Sequence, residues 1–267
     1  MINTIVVGAA GRMGGRLISL IKDSAVLTLA GAVETAGHRA LGEDAGEQAG
    51  CGRLGLAITD NLPALLERGE VVIDFSSPAS SLANLVEVVK RKRAMVIGTT
   101  GFTAQETDEL RRLAHQAPCV FSPNMSVGVN VLFKALAEIA KTLGDEYDIE
   151  VIEAHHRLKK DAPSGTAMKI AEVLAQAMNR DLGQVGVYAR RGMIGERTHN
   201  EIGVQTIRAG DIVGDHTVLF GGMGERIEVT HRAHNRDAFA RGALRAARWV
   251  ATQPPGLYDM LDVLKLR

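Results

Sequence analysis

Cysteine is scarce in this chain: there are two, Cys51 and Cys119, in 267 residues. Two thiols cannot make a disulfide framework, and two reduced thiols in a cytoplasmic protein are the expectation. Neither sign of charge is in excess, with 31 basic and 31 acidic side chains. Such a balance gives no net field to draw the chain to nucleic acid or to an anionic membrane. No run of about 18 apolar residues occurs, so no transmembrane helix is expected. The first residues lack a basic segment followed by a long apolar one, so no secretory signal is expected. Internal repeats and low-complexity tracts are missing too. What is present is length enough to bury a substantial core, as one large or two smaller domains. There are also 29 glycines, mostly at turns between short apolar runs. An α/β chain with many connections needs that composition.

The first such run, Ile2-Asn3-Thr4-Ile5-Val6-Val7, suits a buried parallel strand. Gly8-Ala9-Ala10-Gly11-Arg12-Met13-Gly14 follows at once, and Leu17, Ile18 and Ile21 then recur at helical spacing. Strand, glycine loop and helix are the context of a dinucleotide fingerprint. The glycines permit a tight turn and close backbone approach, and a pyrophosphate can rest on the helix N-terminus. Ala10 stands where the common pattern has its second glycine. A second apolar run, residues 26–33, ends in Glu34, 20 residues past Gly14. That is the spacing of a carboxylate that binds adenosine ribose hydroxyls. Glu34 favours NADH over NADPH, because a 2′-phosphate would meet a like charge. Arg12, His38 and Arg39 are cations within reach of such a phosphate.

Residues 35–55 read as a long loop over the adenosine end. A strand is expected at 56–59, a short helix at 62–68 and a buried strand at 71–75. Ser76-Ser77-Pro78 opens a helix to about residue 92, with the proline near its first turn. Another buried strand, 94–97, runs into Gly98-Thr99-Thr100, and a helix at 103–115 follows with Thr103 as its cap. A strand at 119–121, the loop Ser122-Pro123-Asn124-Met125-Ser126 and a helix at 127–143 complete this half. In an open parallel sheet, ligands sit on the loops at the carboxyl ends of strands. A thioester-forming dehydrogenase would need an activated cysteine there, and residues 122–126 contain none.

The most informative stretch is Glu153-Ala154-His155-His156-Arg157-Leu158-Lys159-Lys160-Asp161-Ala162-Pro163-Ser164-Gly165-Thr166-Ala167. Alternation at 147–152 marks a strand before it, and apolar residues from Met168 to Met178 mark a helix after it. Two histidines and two lysines therefore sit on a strand-to-helix connection that ends at a helix mouth. A helix N-terminus offers unpaired N–H groups and a positive dipole end, well shaped for a carboxylate or phosphate. Beside it stand an ammonium and a histidine that titrates near neutrality. The alternative is that Ser164 is a plain N-cap and the lysines are solvated. Glu153, His155, His156, His199, His216, His231 and His234 could be thought metal ligands. None has the helical His-x-x-x-His spacing of a zinc enzyme and no cysteine cluster exists, so no metal is expected. Strands at 202–208, 216–220 and 226–231 suggest an open sheet with one helical face. Its other face needs cover, which pairing between subunits would give. A helix at 237–251 follows.

The run 153–167 resembles the signature of the 4-hydroxy-tetrahydrodipicolinate reductase family, formerly called dihydrodipicolinate reductase: Glu-x-His-His-x-x-Lys-x-Asp-Ala-Pro-Ser-Gly-Thr-Ala. Leu158 stands where some members carry a third histidine. Residues 122–130 and 208–216 are also similar to family segments, the latter read as mainly structural and interfacial. The resemblance implies an α/β chain: a Rossmann-like doubly wound parallel sheet in residues 1–126 and 236–267, and an α+β substrate and tetramerisation domain with an open mixed sheet in residues 127–235. It implies hydride transfer from NADH or NADPH to 4-hydroxy-tetrahydrodipicolinate, with loss of water, in diaminopimelate and lysine synthesis.

By the same resemblance, Gly8, Ala9, Ala10, Gly11, Arg12, Met13 and Glu34 hold the cofactor's adenosine and phosphates. Gly98, Thr99, Thr100, Ser122, Pro123, Asn124 and Met125 hold its nicotinamide end. His155 is the expected general acid, with Lys159 neutralising charge or donating a proton. His156, Gly165, Thr166 and Thr100 are expected to bind the dicarboxylate substrate. Members that use both cofactors often carry Arg directly after the acidic residue; here that position is Thr35, which strengthens the preference for NADH. A cytoplasmic homotetramer is implied. The competing expectation is a non-catalytic sensor of a dinucleotide and a dicarboxylate, which would not need the acid.

Overall fold

A computed structural model describes residues 1–267. In chain order the elements are β1 (Ile2–Val7), α1 (Arg12–Lys22), β2 (Leu27–Val33), α2 (Ala45–Gln48), α3 (Leu62–Leu65), β3 (Val71–Asp74), α4 (Pro78–Lys90), β4 (Ala94–Ile97), α5 (Ala104–Ala114), β5 (Pro118–Phe121) and α6 (Val127–Leu143). They continue as β6 (Asp148–His155), α7 (Gly165–Ala177), α8 (Leu182–Val185), β7 (Gly186–Val187), β8 (Ile202–Arg208), β9 (Gly214–Gly221), β10 (Arg226–Ala233), α9 (Asp237–Val250), β11 (Gly256–Tyr258) and α10 (Met260–Leu264). Two compact units form, one from residues 1–127 with 236–267 and one from residues 128–235.

The first unit is a six-stranded sheet in the order β11-β5-β4-β3-β1-β2, and every pairing is parallel. Its strands read as nearly continuous apolar runs because both faces are covered. Val6, Val71, Ile73, Val96 and Val120 point to one core, with α1, α9 and α10. Ile5, Val7, Val72, Met95, Ile97 and Cys119 point to the other, with α4 and α5. Alternate residues of one strand thus bury against opposite helical layers, which makes the sheet doubly wound. Strand order reverses between β2 and β3 on either side of β1, so the loops after β1 and β3 face one crevice. Caps fix where the helices begin: Ser77 precedes Pro78 at the start of α4, and Thr103 forms a capping box with Glu106 on α5.

The region between β2 and β3 departs from expectation. No strand forms at 56–59; Ala57 and Thr59 make only isolated bridges, to Asp44 and Val33. The reason is Asp44, whose carboxylate accepts from the N–H groups of Gly46, Glu47, Leu54, Gly55 and Leu56. Those amides are folded around one side chain instead of a ladder. The loop expected at 35–55 therefore contains α2, capped by Asp44. The helix expected at 62–68 stops at Leu65, because Arg68 and Gly69 both turn back onto the Leu65 carbonyl.

The second unit holds a five-stranded mixed sheet, β10-β9-β6-β8-β7. β6 runs parallel to β8 and antiparallel to β9. Helices α6 and α7 cover one face, where Ile149, Val151, Ile202, Val204, Val218 and Phe220 form the core. On the other face Arg190 grips Glu150 at 2.7 and 2.9 Å, and Arg197 reaches Asp148 at 2.7 Å. The strand expected at 147–152 runs on to His155, and those at 216–220 and 226–231 reach 214–221 and 226–233. The added ends carry polar residues, so apolar alternation stopped short of them. α8 and β7, four and two residues long and directly adjoining, were not expected at all. No helix is long and apolar enough to cross a membrane.

Candidate active site

Along the core face of β6 the residues are Ile149, Val151, Glu153 and His155, all buried. The row changes from apolar to ionisable where the strand ends. Register then fixes the neighbours: Glu153 lies between Thr206 of β8 and His216 of β9, and His155 lies beside Arg208 of β8. Glu153 has no exposed surface and is the hub. Arg208 reaches both its oxygens at 2.8 Å, the Ser164 N–H donates at 3.0 Å, the Thr206 hydroxyl at 3.2 Å, and His155 Nδ1 lies 2.5 Å away. The Arg208 guanidinium also donates to the Asp161 carbonyl, which ties the loop after β6 to the sheet.

Burial alone would raise the Glu153 pKa, but the hydrogen bonds from Arg208 and His155 outweigh it and hold the carboxyl below its ordinary range. Burial lowers the His155 pKa, and Lys159 and Arg208 add to the effect against Glu153. The resting ring is therefore a neutral imidazole. His216, edge-on to His155 with ring centres 5.2 Å apart, is pushed down to about 4 by burial and then by His155. It is neutral as well.

His155 is the last residue of β6, and His156 lies past the strand, in a turn closed by the Lys159 N–H onto the His156 carbonyl. The turn sends Lys159 back to Asp161, 2.9 Å away, while Lys160 is exposed. Nδ1 of His156 is buried and has no hydrogen-bond partner. Ser164 is the N-cap of α7: its hydroxyl accepts from the Ala167 N–H and lies 3.2 Å from His216 Nε2. It is thus occupied by the fold. Gly165 is exposed, and a Cβ there would meet nothing within 4 Å, so the first turn of α7 is open to a ligand.

The glycine loop in the first unit is dictated by close approach. Gly8 has φ +73°, and a Cβ on Gly14 would lie 2.1 Å from the Gly8 carbonyl oxygen. Only glycine lets α1 pack so tightly against the turn. The Ala10 N–H donates to Glu34 Oε1 at 2.9 Å, so the acidic residue after β2 also braces the loop. Gly8, Ala10, Gly11 and Glu34 line one cavity of about 330 Å³ with Thr35, His38, Phe75, Ser76, Ser77 and Ser80. A glycine cradle opening onto a carboxylate fits a dinucleotide's pyrophosphate and ribose.

The side chains of the other expected cofactor residues are placed as follows. Ala9 and Met125 are fully packed in the core, and Met13 packs against it. Arg12 and Arg39 are exposed and line no part of that cavity. Thr99 is buried, bonded to Ser81 at 2.8 Å, and Ser122 donates to the Asn124 carbonyl at 2.9 Å. Thr100 is exposed. Sequence reasoning missed Asp74, a buried carboxylate at the end of β3. It accepts from the Ser76 N–H and hydroxyl and from Asn84, and Thr99 lies 3.4 Å away, pinning the loops after β3 and β4 together. A lone acid closing the apolar run Val71-Val72-Ile73 was the available signal. Phe75 was also missed; its ring sits where a Cβ on Gly98 would be 2.3 Å away.

The family model described as dihydrodipicolinate reductase, N-terminus, matches residues 2–125, and its C-terminus counterpart matches residues 128–264. A 4-hydroxy-tetrahydrodipicolinate reductase of Syntrophus aciditrophicus is 55% identical over 267 residues, covering all of both chains. One from Citrifermentans bemidjiense is 55% identical over the same span, again with full coverage of both. Among solved structures, a dipicolinate-bound dihydrodipicolinate reductase from Paenisporosarcina sp. TG-14 superposes with a TM-score of 0.74. It is 22% identical, and 98% of each chain is covered, a likeness that carries the fold alone. With both halves matched and more than half of all residues shared with full-length reductases, the chain belongs to the dihydrodipicolinate reductase family.

Proposed function

We propose that this chain catalyses the reaction for which its relatives are named: reduction of cyclic 4-hydroxy-tetrahydrodipicolinate to tetrahydrodipicolinate, with loss of water, in diaminopimelate and lysine synthesis. The observation that carries the chemistry is the buried Glu153–His155 pair beside the open first turn of α7. When bound, a dihydronicotinamide supplies the hydride. Gly8, Ala10, Gly11 and Glu34 hold its pyrophosphate and ribose, and Gly98, Thr100 and residues 122–124 receive its other end.

Reduction of a conjugated imine leaves an electron-rich enamine, which must gain a proton. His155 gives that proton and regains one from solvent. Lys159 neutralises the ring nitrogen or a carboxylate, and His156 binds substrate. The backbone N–H groups of Gly165 and Thr166 take a substrate carboxylate at the positive end of α7. NADH is preferred and NADPH tolerated, because Glu34 repels a 2′-phosphate and Thr35 adds no cation to offset it. The working molecule is a cytoplasmic homotetramer that pairs the outer faces of the second-unit sheets.

The test couples the protein to an enzyme that condenses pyruvate with aspartate semialdehyde, and follows loss of reduced nicotinamide absorbance. The condensing enzyme is left out as the control. Oxidation of NADH faster than NADPH is expected. A folded protein that binds NADH yet oxidises neither would be a sensor instead.

A further inference from the structure

We propose that Glu153 is the positioning residue that fixes the tautomer of His155, holding the proton on Nδ1 so that Nε2 is the atom that gains and gives up a proton. The inference rests on His155 being the proton donor, but the tautomer itself can be read without turnover.

Glu153 Oε1 accepts from the Ser164 N–H, the Thr206 hydroxyl and Arg208, and Oε2 from Arg208. Four donors from a backbone amide, a hydroxyl and a guanidinium hold this carboxylate ionised in a site with no exposure. An ionised carboxylate only accepts. At the remaining contact, 2.5 Å from Oε2, His155 Nδ1 must therefore be the donor. The other neutral tautomer would set a nitrogen lone pair against a carboxylate lone pair. Nε2 is turned away from Glu153 and lies over Gly214, where a Cβ would be 3.1 Å from it. Gly214 keeps that edge of the ring clear.

The charged and titratable groups facing His155 are few. They are Glu153 on β6, Arg208 on β8, His216 on β9, and Lys159 with its partner Asp161 on the following loop. His231 on β10 lies opposite His216. His216 is neutral, and Asp161 is paired with Lys159, so Glu153 is the one anion in contact with the ring. In the imidazolium, Nδ1–H stays on Glu153. The Nε2–H bond breaks, leaving its electron pair on nitrogen, and the enamine π pair forms the new C–H bond. The ring is left as the Nδ1–H tautomer, and Nε2 takes its next proton from solvent.

Nitrogen-15 NMR of the intact wild-type protein, labelled at histidine, tests this directly. His155 is assigned by the resonances lost in His155→Asn. Above its titration, Nδ1 should show a protonated shift and Nε2 a lone-pair shift; the reverse pattern overturns the proposal, whatever the activity. Glu153→Gln supplies the second arm. It should lower kcat by about 10-fold or more with KM little changed. It should also move the alkaline fall of kcat to lower pH, because the imidazolium loses its counter-charge. An unmoved pH profile in a folded Glu153→Gln enzyme also overturns it. If that variant does not fold, the wild-type spectrum still decides. The expected tautomer in a protein without reductase activity would reject the functional reading and leave the role of Glu153 in the fold intact.

Discussion

His155 and Ser164 sit on the same hub and do different work. His155→Ala should lower kcat by about 10²-fold or more with a modest change in KM, as steady-state kinetics would measure. An unchanged kcat would remove His155 from proton transfer. Ser164→Ala should act on stability first. It removes the N-cap of α7 and the contact to His216, so a loss of about 1–2 kcal/mol is expected. In thermal denaturation that is a fall of about 2–8 °C. Both residues stood out in the sequence, within one long motif. Their division of labour did not, because it depends on which partner each side chain meets. Glu153 shows the same limit: it opens the motif, yet nothing local says that it is the acceptor of Arg208, 55 residues on.

Among the elements, the loop from β1 into α1 was legible because its constraint is local. Gly14→Ala would force a Cβ to 2.1 Å from the Gly8 carbonyl oxygen. A loss of about 1–3 kcal/mol is expected, together with weaker NADH binding in a fluorescence titration. The segment from β2 to β3 was less legible, because a side chain organises its backbone. The backbone N–H of Leu54 holds Asp44 down at about 2 against the opposing effect of burial, and those of Glu47, Gly46 and Gly55 add to it. The folded value lies below the unfolded one of 3.8, so this stabilisation is complete above that pH and is lost as pH falls toward 2. Asp44→Ala should therefore melt lower than wild type at pH 6, with the difference shrinking between pH 4 and 2. Limited proteolysis at neutral pH should cut the variant within residues 42–57, where wild type resists.

Across the whole molecule, buried neutral groups set the response to acid and to thiol reagents. His216 titrates near 4 when folded and at 6.5 when unfolded. Between those values the unfolded chain binds a proton that the fold refuses, so the stability present above pH 6.5 declines toward pH 4. Burial shifts His155 and His231 in the same direction. Denaturant titrations at several pH values should show that slope, and His216→Gln should flatten it. Burial pushes the Cys119 thiol up to about 12, whereas Cys51 is only half-buried. Iodoacetamide should label Cys51 alone in the native protein and both thiols after unfolding, as mass spectrometry would show. An inert Cys119, the second residue of β5, also fits a site that works without a thioester.

The residues alone made legible the parts whose physics is short-range. Apolar runs bounded by glycine marked the parallel strands, cap residues marked α4 and α5, and the spacing from Gly14 to Glu34 marked the glycine loop and the acid that braces it. The long motif that begins at the end of β6 marked both the chemistry and the family. The rest depends on pairing between residues distant in the chain. Register between β6, β8 and β9 set Thr206, Arg208 and His216 around Glu153 and His155. Close packing set the side chains of Ala9, Met13 and Met125 in or against the core and left a cavity wall at Phe75 and Ser76. A buried ion has its pKa fixed by the partners that the fold brings to it, and for Glu153 one of those partners, Arg208, lies 55 residues along the chain.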